Sequence, residues 1–331
     1  MIRTGIIGLG NMGTLHGKLL QQNPAVKITG VADTDPAKVR DASALFGCPG
    51  HATAEALLAS GLDLVFITVP NAQHARLSCA ALERGIDVFV EKPLATGRED
   101  ARKVAAARQK SGRRLFVGYN RRFAPVYREA KRIVDDAAFR PTHVNIIQND
   151  GDMRDPPWLT DVAMTGGFMY DTTVHFLDMA RYLLGEIVEI RALGKAWFYP
   201  IPDDFVVQLR FASGAYGVIT TCGHASWIPP FERVQVVGDH RSVITEELDE
   251  LRYSPALGAV IDGRNYSKLS HNDKWGYAGM HRHIFEVLGG GATPCLNGVA
   301  EGLRVVELIE ACHRSAANDG EIIRLGKEII E

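Results

Sequence analysis

The sequence predicts an α/β protein whose N-terminal part is a doubly wound parallel sheet, and three observations support this fold class. Short apolar runs alternate with helical patterns along the N-terminal third of the chain. These runs are rich in Val, Ile, Leu and Phe, as expected of strands buried on both faces. A glycine-rich turn separates the first apolar run from the first helical pattern.

The predicted elements follow in chain order. Hydrophobic periodicity predicts N-terminal strands over residues 2–9, 27–33, 62–69, 88–91 and 115–118. Helices are predicted between them over residues 12–21, 36–46, 73–84 and 97–109. Later in the chain the pattern predicts strands over 142–148, 189–199, 204–211, 215–222 and 232–238, and a last helix over 298–317.

Composition limits the class of protein. With 331 residues, 46% of them hydrophobic and 23% charged, the chain is long enough for two domains with separate cores. The net charge of -2 and the absence of a long basic run argue against a nucleic-acid scaffold and favour small-molecule partners. The cysteines form no Cys-x-x-Cys pair, and neither a signal peptide nor a membrane span is apparent. We therefore expect reduced thiols and a cytoplasmic protein; the five cysteines are Cys48, Cys79, Cys222, Cys295 and Cys312.

The glycine turn reads Gly8-Leu9-Gly10-Asn11-Met12-Gly13, which is G-x-G-x-x-G between a strand and a helix. Its glycines allow a tight turn, close approach of a pyrophosphate and packing of the helix on the strand, while the helix N-terminus attracts phosphate. Asp33 ends the second predicted strand, where a carboxylate accepts the ribose hydroxyls and repels a 2′-phosphate. The sequence therefore predicts a dinucleotide site that prefers NAD to NADP.

Two further strand ends lie at the carboxyl edge of the predicted sheet, where doubly wound folds bind ligands. They carry Thr68-Val69-Pro70-Asn71-Ala72-Gln73-His74 and Glu91-Lys92-Pro93. Lys92 can donate to a substrate oxygen, and Glu91 can hold Lys92 or meet the ribose; a Lys-Pro pair is also common in ordinary loops. The predicted cofactor-binding residues are Gly8, Gly10, Asn11, Met12, Asp33, Thr68, Pro70, Asn71, His74, Glu91 and Lys92.

A segment after Gly166-Gly167 places Asp171, His175 and Asp178 on one apparent helix face. A carboxylate one turn from an imidazole can orient the ring and raise its basicity. An Asp-x-x-x-His pattern can also be a plain polar stripe, but the apolar residues around this one indicate a largely buried helix. Elsewhere, His281 and His283 lie two apart on a helical pattern, which disfavours a shared metal, and no metal site is predicted.

Together these motifs resemble the glucose-fructose oxidoreductase and inositol dehydrogenase family, written Gfo/Idh/MocA. The resemblance spans nearly the whole chain and rests on the glycine turn, Pro70-Asn71-x-x-His74, Glu91-Lys92-Pro93, Gly118-Tyr119-Asn120-Arg121-Arg122-Phe123 and Gly166-Gly167-x-x-x-Asp171-x-x-x-His175-x-x-Asp178. It implies a Rossmann NAD-binding domain over residues 1–120. It also implies a substrate-binding and oligomerisation α/β domain over 121–331, with an open, mostly antiparallel sheet, in a homodimer or homotetramer.

The resemblance further implies that Lys92, Asp171 and His175 form the catalytic group and that Asn120, Arg121 and Thr172 contact substrate, with Asp150 a further contact. Oxidation of a secondary alcohol needs a proton acceptor and a donor to the oxygen, roles that suit His175 and Lys92. We therefore expect NAD-dependent hydride transfer at a secondary hydroxyl, or ketone, of a sugar, sugar derivative, amino sugar or cyclitol.

Three alternatives remain open: a glycosidase that recycles bound NAD, a non-catalytic nucleotide-binding regulator, and a reductase of a sugar-like or pterin-like carbonyl. The regulator is disfavoured because it needs no base, orienting group or oxygen donor. The acidic segment from Asp150 to Asp155 could select an amino sugar, or could be a solvated loop.

Overall fold

The computed structural model describes residues 1–152, 157–226, 231–290 and 292–326. The chain separates into two compact units. The first comprises Met1–Gly118 and His281–Val306, and the second Tyr119–Met280 and Glu307–Glu331. This division differs from the predicted single boundary at residue 120, because a late segment returns to the first unit.

The first unit is built on a six-stranded parallel sheet in the order β3-β2-β1-β4-β5-β6. Its strands are Ile2–Ile7 (β1), Val26–Ala32 (β2), Gly50–His51 (β3), Leu64–Ile67 (β4), Asp87–Val90 (β5) and Leu115–Val117 (β6). Its helices are Asn11–Gln21 (α1), Pro36–Phe46 (α2), Ala54–Leu58 (α3), His74–Leu82 (α4) and Arg98–Ser111 (α5). Every residue of β4 and β6 is buried, as expected of strands covered on both faces.

The edge of this sheet at β6 is closed by the returning segment. The backbone N–H of Val117 donates to the carbonyl of Asn297 at 2.7 Å, and the Asn297 side-chain amide donates to the Val117 carbonyl at 2.7 Å. Asn297 is fully buried, so its amide satisfies edge groups that would otherwise be open to pairing. The sequence pattern did not reveal this contact, because it joins residues far apart in the chain.

The second unit contains a nine-stranded sheet in the order β14-β13-β12-β11-β7-β10-β9-β8-β15. Only β7 and β10 pair in parallel among its described strands. The strands are His143–Asn149 (β7), Ile187–Lys195 (β8), Asp204–Phe211 (β9), Tyr216–Cys222 (β10), Glu232–Gly238 (β11), Arg241–Glu246 (β12), Glu250–Ser254 (β13), Asp262–Asn265 (β14) and Ile323–Arg324 (β15). Burial alternates along β7, β9, β10 and β11, so one face of the sheet packs and the other is open.

The remaining helices are Pro125–Val134 (α6), Val162–Thr165 (α7), Val174–Leu184 (α8), His271–Lys274 (α9), Tyr277–Leu288 (α10) and Val299–Ala317 (α11). A π-helical turn, Met169–Thr173, leads into α8. Helix α6 packs on α8 and β12, and α8 also contacts β7. These contacts hold the segment with the predicted catalytic residues against the sheet.

The predicted fold class is confirmed, with an all-parallel sheet followed by a mostly antiparallel one. One strand was predicted too long: residues 189–199 were expected to be extended, whereas β8 ends at Lys195. The backbone N–H groups of Trp197 and Phe198 donate to the Asp203 carboxylate at 2.7 and 3.2 Å. The Asp203 carboxylate thus accepts hydrogen bonds that a neighbouring strand would otherwise accept, and β8 does not continue through these residues. In the described part of the chain, no helix is long and apolar enough to span a membrane.

Candidate active site

The turn between β1 and α1 requires glycine at its first and last glycine positions. Gly8 has φ +91°, and a Cβ there would lie 2.5 Å from the Thr68 carbonyl oxygen. A Cβ on Gly13 would lie 2.0 Å from the Gly8 carbonyl oxygen. The Thr68 hydroxyl also approaches that carbonyl oxygen, at 2.7 Å, which ties the turn to the end of β4.

Gly10 is different, because a Cβ there would meet no protein atom within 4 Å. Gly10 and Asn11 are exposed, Met12 is half-buried, and no described side chain caps the first turn of α1. The helix therefore presents unpaired N–H groups and a partial positive charge beside open space. This arrangement fits the pyrophosphate of a dinucleotide.

The Asp33 carboxylate lies at the end of β2, next to the glycine turn. Its Oδ2 accepts the backbone N–H of Leu9 at 2.7 Å, and its Oδ1 accepts that of Asp35 at 2.9 Å. These bonds fix the carboxylate without using all of its acceptor sites, since an ionised carboxylate has about four. Asp33 can therefore still accept ribose hydroxyls, as the sequence predicts.

His74 is placed differently from the predicted cofactor contact. The side chain is fully buried, with Nδ1 2.7 Å from the Pro93 carbonyl oxygen and Nε2 2.8 Å from that of Val69. Burial is the main reason that the pKa of His74 is lowered. The ring thus joins the ends of β4 and β5, while Pro70 begins the short 3-10 turn Asn71–Gln73 and Asn71 is itself buried. We assign His74 a positioning role.

Glu91 belongs to a buried chain of three side chains in the first unit. His16 Nε2 lies 2.9 Å from Glu91 Oε1, and His16 Nδ1 lies 2.8 Å from His281 Nε2. Burial alone would raise the pKa of Glu91, but His16 and Lys92 outweigh it and leave that pKa lowered. Burial, and then His16, hold the pKa of His281 well below its usual value. Glu91 is therefore held inside the first unit, and its predicted contact with ribose stays a prediction.

Lys92 follows Glu91 and is half-buried. Its backbone N–H donates to Glu91 Oε2 at 3.1 Å, and its peptide bond to Pro93 is cis. Glu91 therefore holds the main chain of Lys92.

In the second unit, the π-helical turn and the start of α8 carry the other predicted catalytic residues. Asp171, Thr172 and His175 are half-buried, whereas their neighbours Thr173 and Val174 are buried. The three polar side chains are therefore the accessible part of a largely buried segment. Single π turns within helices are frequent at functional sites.

The paired glycines before this segment form the turn that leads into it. Gly166 and Gly167 have φ values of +80° and +103°, which other residues rarely adopt. A Cβ on Gly167 would meet nothing within 4 Å. The Gly167 carbonyl accepts the N–H groups of Tyr170 and Asp171, both at 3.1 Å, so the glycine begins the turn.

Asp178 does not extend the polar stripe of Asp171 and His175. It is 1% exposed, and its two oxygens accept Arg122 Nε at 2.8 Å and Nη2 at 2.7 Å. The prediction that Asp178 belongs to the proton-handling group is therefore corrected to a buried ion pair. The sequence spacing correctly placed Asp178 on the same helix as His175, but it could not identify Arg122 as its partner.

Asn120 and Arg121, predicted to contact substrate, also lie in the interior of the second unit. The Asn120 amide donates to the Trp275 carbonyl at 2.8 Å. Arg121 donates to Glu232 Oε2 through Nε at 2.9 Å and Nη2 at 2.6 Å, and its guanidinium lies 5.3 Å from the centroid of the Trp275 ring. Both side chains are almost fully buried, so we assign them to support of the site.

Asp150 directly follows β7 and is half-buried. Its backbone N–H donates to the Cys222 carbonyl and its carbonyl accepts the Ala225 N–H, both at 2.8 Å. Farther along the acidic segment, Asp152 accepts the Tyr199 hydroxyl at 3.1 Å, and Asp155 lies outside the described residues. These two hydrogen bonds fix the main chain of Asp150.

Sequence reasoning missed two residues that organise the two units. His16 lies eight residues after Gly8, on α1, and Glu232 begins β11. The Tyr127 hydroxyl donates to Glu232 at 2.7 Å, which completes the buried pair with Arg121. A histidine on the apolar face of the first helix was the only available signal for His16, and Glu232 looked like an ordinary strand residue.

The whole chain is similar to known oxidoreductases. Residues 2–119 match the family described as "Oxidoreductase family, NAD-binding Rossmann fold", and residues 127–244 match the "GFO/IDH/MocA C-terminal domain". An inositol 2-dehydrogenase of Rhizobium meliloti is 27% identical over 97% of this chain and 98% of its own length. A myo-inositol 2-dehydrogenase of Thermotoga maritima is 30% identical over 75% of this chain and 76% of its own length.

Among solved structures, GenD2 from gentamicin A biosynthesis in complex with NAD superposes with a TM-score of 0.85 at 25% identity, covering 98% of this chain and 96% of that chain. The predicted enzyme class and NAD cofactor are confirmed at the level of the family. The chain belongs to the Gfo/Idh/MocA oxidoreductase family, with its NAD-binding Rossmann fold in residues 2–119.

Proposed function

We propose that the protein is an NAD-dependent dehydrogenase that acts on a secondary hydroxyl of a sugar, sugar derivative, amino sugar or cyclitol. The relatives named as inositol dehydrogenases support the cyclitol end of this range. The observation that carries the proposal is that Asp171, Thr172 and His175 stay accessible in a segment whose neighbours are buried. Proton transfer needs polar groups that substrate can reach, and these positions supply them.

Each residue has a separate chemical task. His175 accepts the proton of the substrate hydroxyl, and Asp171 orients the ring and stabilises its charged form. Lys92 donates to the substrate oxygen and stabilises the negative charge that develops there. Bound NAD supplies the hydride acceptor. In the reverse direction His175 returns the proton, so the same residues serve reduction of a ketone.

The cofactor preference rests on Asp33. Its carboxylate is held by two backbone N–H groups and keeps acceptor sites for ribose hydroxyls. A 2′-phosphate at the same place would meet a fixed negative charge. We therefore propose NAD rather than NADP.

For substrate binding we retain Thr172, His175 and Asp150. Asn120 and Arg121 act through the packing of the second unit. Preference for an amino sugar over a neutral polyol stays a prediction for Asp150 and the acidic segment that follows it. A homodimer or homotetramer also stays a prediction, which light scattering of the purified protein tests.

The decisive experiment follows the absorbance of reduced nicotinamide while protein and NAD are mixed with cyclitols, hexoses, amino sugars and glycosides. Growth of the band with one chemical class supports the proposal and names the substrate class. If NAD binds but no compound produces the band, the dehydrogenase proposal is overturned. Cleavage of a glycoside without net reduction would identify the NAD-recycling glycosidase, and failure of every reaction would leave the carbonyl reductase and the regulator.

Lys92→Met and Lys131→Met form a matched pair for the same assay. Lys131 lies on α6, where its ammonium pairs with Asp135 and lies over the Tyr182 ring, and no chemical role is assigned to it. The substitution at Lys92 should lower turnover strongly, and the one at Lys131 should not. Equal activity of the two variants would remove Lys92 from the proposed mechanism.

A further inference from the structure

Three neighbouring strands of the second unit end with a row of polar side chains. Asp204 at the start of β9 lies opposite Cys222 at the end of β10, and Cys222 lies opposite Asn149 at the end of β7. Residues directly opposite each other in paired strands share a face of the sheet. The Cys222 thiol donates to the Asn149 side-chain oxygen at 3.5 Å, which confirms that the row points the same way.

His224 adds an imidazole to this row. Its Nδ1 lies 3.1 Å from Asp203 Oδ2, and its Nε2 lies 3.7 Å from Asp204 Oδ2. A carboxylate accepts hydrogen bonds, so Asp203 selects the tautomer with the proton on Nδ1 and leaves the Nε2 lone pair toward Asp204.

Asp203 is well suited to fix the ring. It is fully buried, and its carboxylate also accepts the N–H groups of Trp197 and Phe198 at 2.7 and 3.2 Å. A buried carboxylate bonded to the far nitrogen of a histidine is the arrangement that orients metal-binding histidines in proteins. Asp203 therefore turns the Nε2 atom of His224 toward Asp204, in the orientation that a metal-binding histidine needs.

We propose that Asp204, Cys222 and His224 bind a divalent transition-metal ion, with Zn²⁺ the preferred one. One donor atom from each residue lies within 4.8 Å of the other two, so small side-chain rotations bring all three onto one ion. Sulfur, imidazole and carboxylate together suit Zn²⁺, whereas Mg²⁺ and Ca²⁺ prefer oxygen donors alone. Three protein ligands leave the fourth tetrahedral position to water.

Binding would link two strand ends and the segment before β9. Asp203 and Asp204 are adjacent in sequence, and the Gly223 N–H donates to the Asp203 carbonyl at 2.7 Å. An ion at Asp204, Cys222 and His224 would therefore hold the β9 and β10 ends together and lock the contacts that Asp203 makes. The bound ion would thereby stabilise this part of the second unit, next to Asp150, whose backbone N–H donates to the Cys222 carbonyl at 2.8 Å.

Cobalt provides a direct probe, because Co²⁺ occupies zinc sites and a Co²⁺–thiolate bond gives a charge-transfer absorption band. Full-length protein freed of metal with a chelator is titrated with Co²⁺, and the bound Co²⁺ is then displaced with Zn²⁺. We expect a saturable band at one ion per chain that Zn²⁺ removes. Absence of saturable binding would overturn the proposal.

Substitutions identify the donors. Cys222→Ser should abolish the thiolate band, and His224→Asn should weaken binding, while Cys295→Ser, at an exposed cysteine of the first unit, should change neither. Asp203→Asn keeps all three ligands and should weaken binding by about 10- to 100-fold, as expected when the partner of a metal-binding histidine is lost. A band that survives Cys222→Ser, or that disappears in Cys295→Ser, would contradict the assignment.

A second measurement covers the case in which a variant folds poorly. Zn²⁺ should raise the thermal midpoint of the wild-type protein but not that of Asp204→Asn, which retains a side chain of the same shape. An equal rise in both proteins would show that Zn²⁺ acts elsewhere and would also overturn the proposal.

Discussion

Replacing His16 by Leu should destabilise the first unit because it leaves the Glu91 carboxylate buried without its main partner. His16 is fully buried and packs beside the rings of Phe66 and Phe89, at centroid distances of 5.5 and 4.8 Å. Leucine fills a similar space among those rings, so the loss should come from the polar contacts with Glu91 at 2.9 Å and with His281 at 2.8 Å, and not from a cavity.

The expected loss follows from the contacts of Glu91. Leaving a buried hydrogen-bonding group without its partner costs about 1–3 kcal/mol, and more when that group is charged. The backbone N–H of Lys92 still donates to Glu91, at 3.1 Å, and protonation of the carboxylate limits the cost, so we expect about 3 kcal/mol at neutral pH. In the double variant His16→Leu/Glu91→Gln, the glutamine oxygen still accepts the Lys92 N–H. Its unsatisfied amide group costs about 1–2 kcal/mol, so the double variant should be more stable than the single one.

The pH dependence has a defined sign. Because the pKa of Glu91 is lowered in the native protein, its stabilising contribution is present above the unfolded-state pKa and is lost as pH falls through the folded-state pKa. The stabilisation that Glu91 gives the wild-type protein should therefore persist as the pH is lowered from about 7 to about 5, and the difference in stability from His16→Leu should shrink below about pH 4.

Hydrogen exchange of amides in β1, β4 and β5, measured by mass spectrometry in peptides from the intact chain, is the appropriate assay. The described tryptophans, Trp158, Trp197 and Trp275, belong to the second unit, so tryptophan fluorescence would report on the wrong unit. Glu91→Gln alone is the control, since His16 can change tautomer to meet the new amide. A loss below about 1 kcal/mol in His16→Leu, or a double variant less stable than the single one, would refute the reasoning.

The remaining predictions concern NAD and catalysis. Gly10→Ala should fold normally, because its Cβ would meet no protein atom within 4 Å, yet it should bind NAD at least about tenfold more weakly in calorimetry. Gly13→Ala should lose both stability and NAD binding, because its Cβ would lie 2.0 Å from a carbonyl oxygen. Unchanged NAD affinity in Gly10→Ala would show that the pyrophosphate does not bind at this turn. Asp33→Ala should lower the affinity for NAD by about tenfold relative to the affinity for NADP. An unchanged ratio of the two affinities would show that Asp33 does not bind the ribose. His175→Ala should lower kcat at least about 100-fold at constant NAD affinity, whereas His240→Asn, at an exposed turn, should be nearly normal. Near-normal kcat in His175→Ala would move the base elsewhere, with Lys92 the next candidate.

Local patterns predicted much of the cofactor side correctly. The five strands predicted for the first sheet, the glycine turn and the position of Asp33 depend on residues close together in sequence, and each agrees with the structure within a few residues. The two-residue strand Gly50–His51 was not predicted. Predictions about partners were weaker. Asp178 was placed on the right helix but given the wrong role, because its partner Arg122 lies 56 residues away. Arg121 was expected to contact substrate, although Glu232, 111 residues away, holds it in the interior.

The sequence by itself determined the fold class, the nucleotide-binding turn and which residue types could carry proton transfer. Periodicity and glycine placement are local properties, so burial on both faces and a sharp turn follow from them directly. Only the tertiary structure decided which polar groups are already paired. It assigned Glu91 to His16, His74 to two carbonyl oxygens and His224 to Asp203. A buried polar group must find a partner, and that partner is supplied by whichever strand or helix the fold brings beside it.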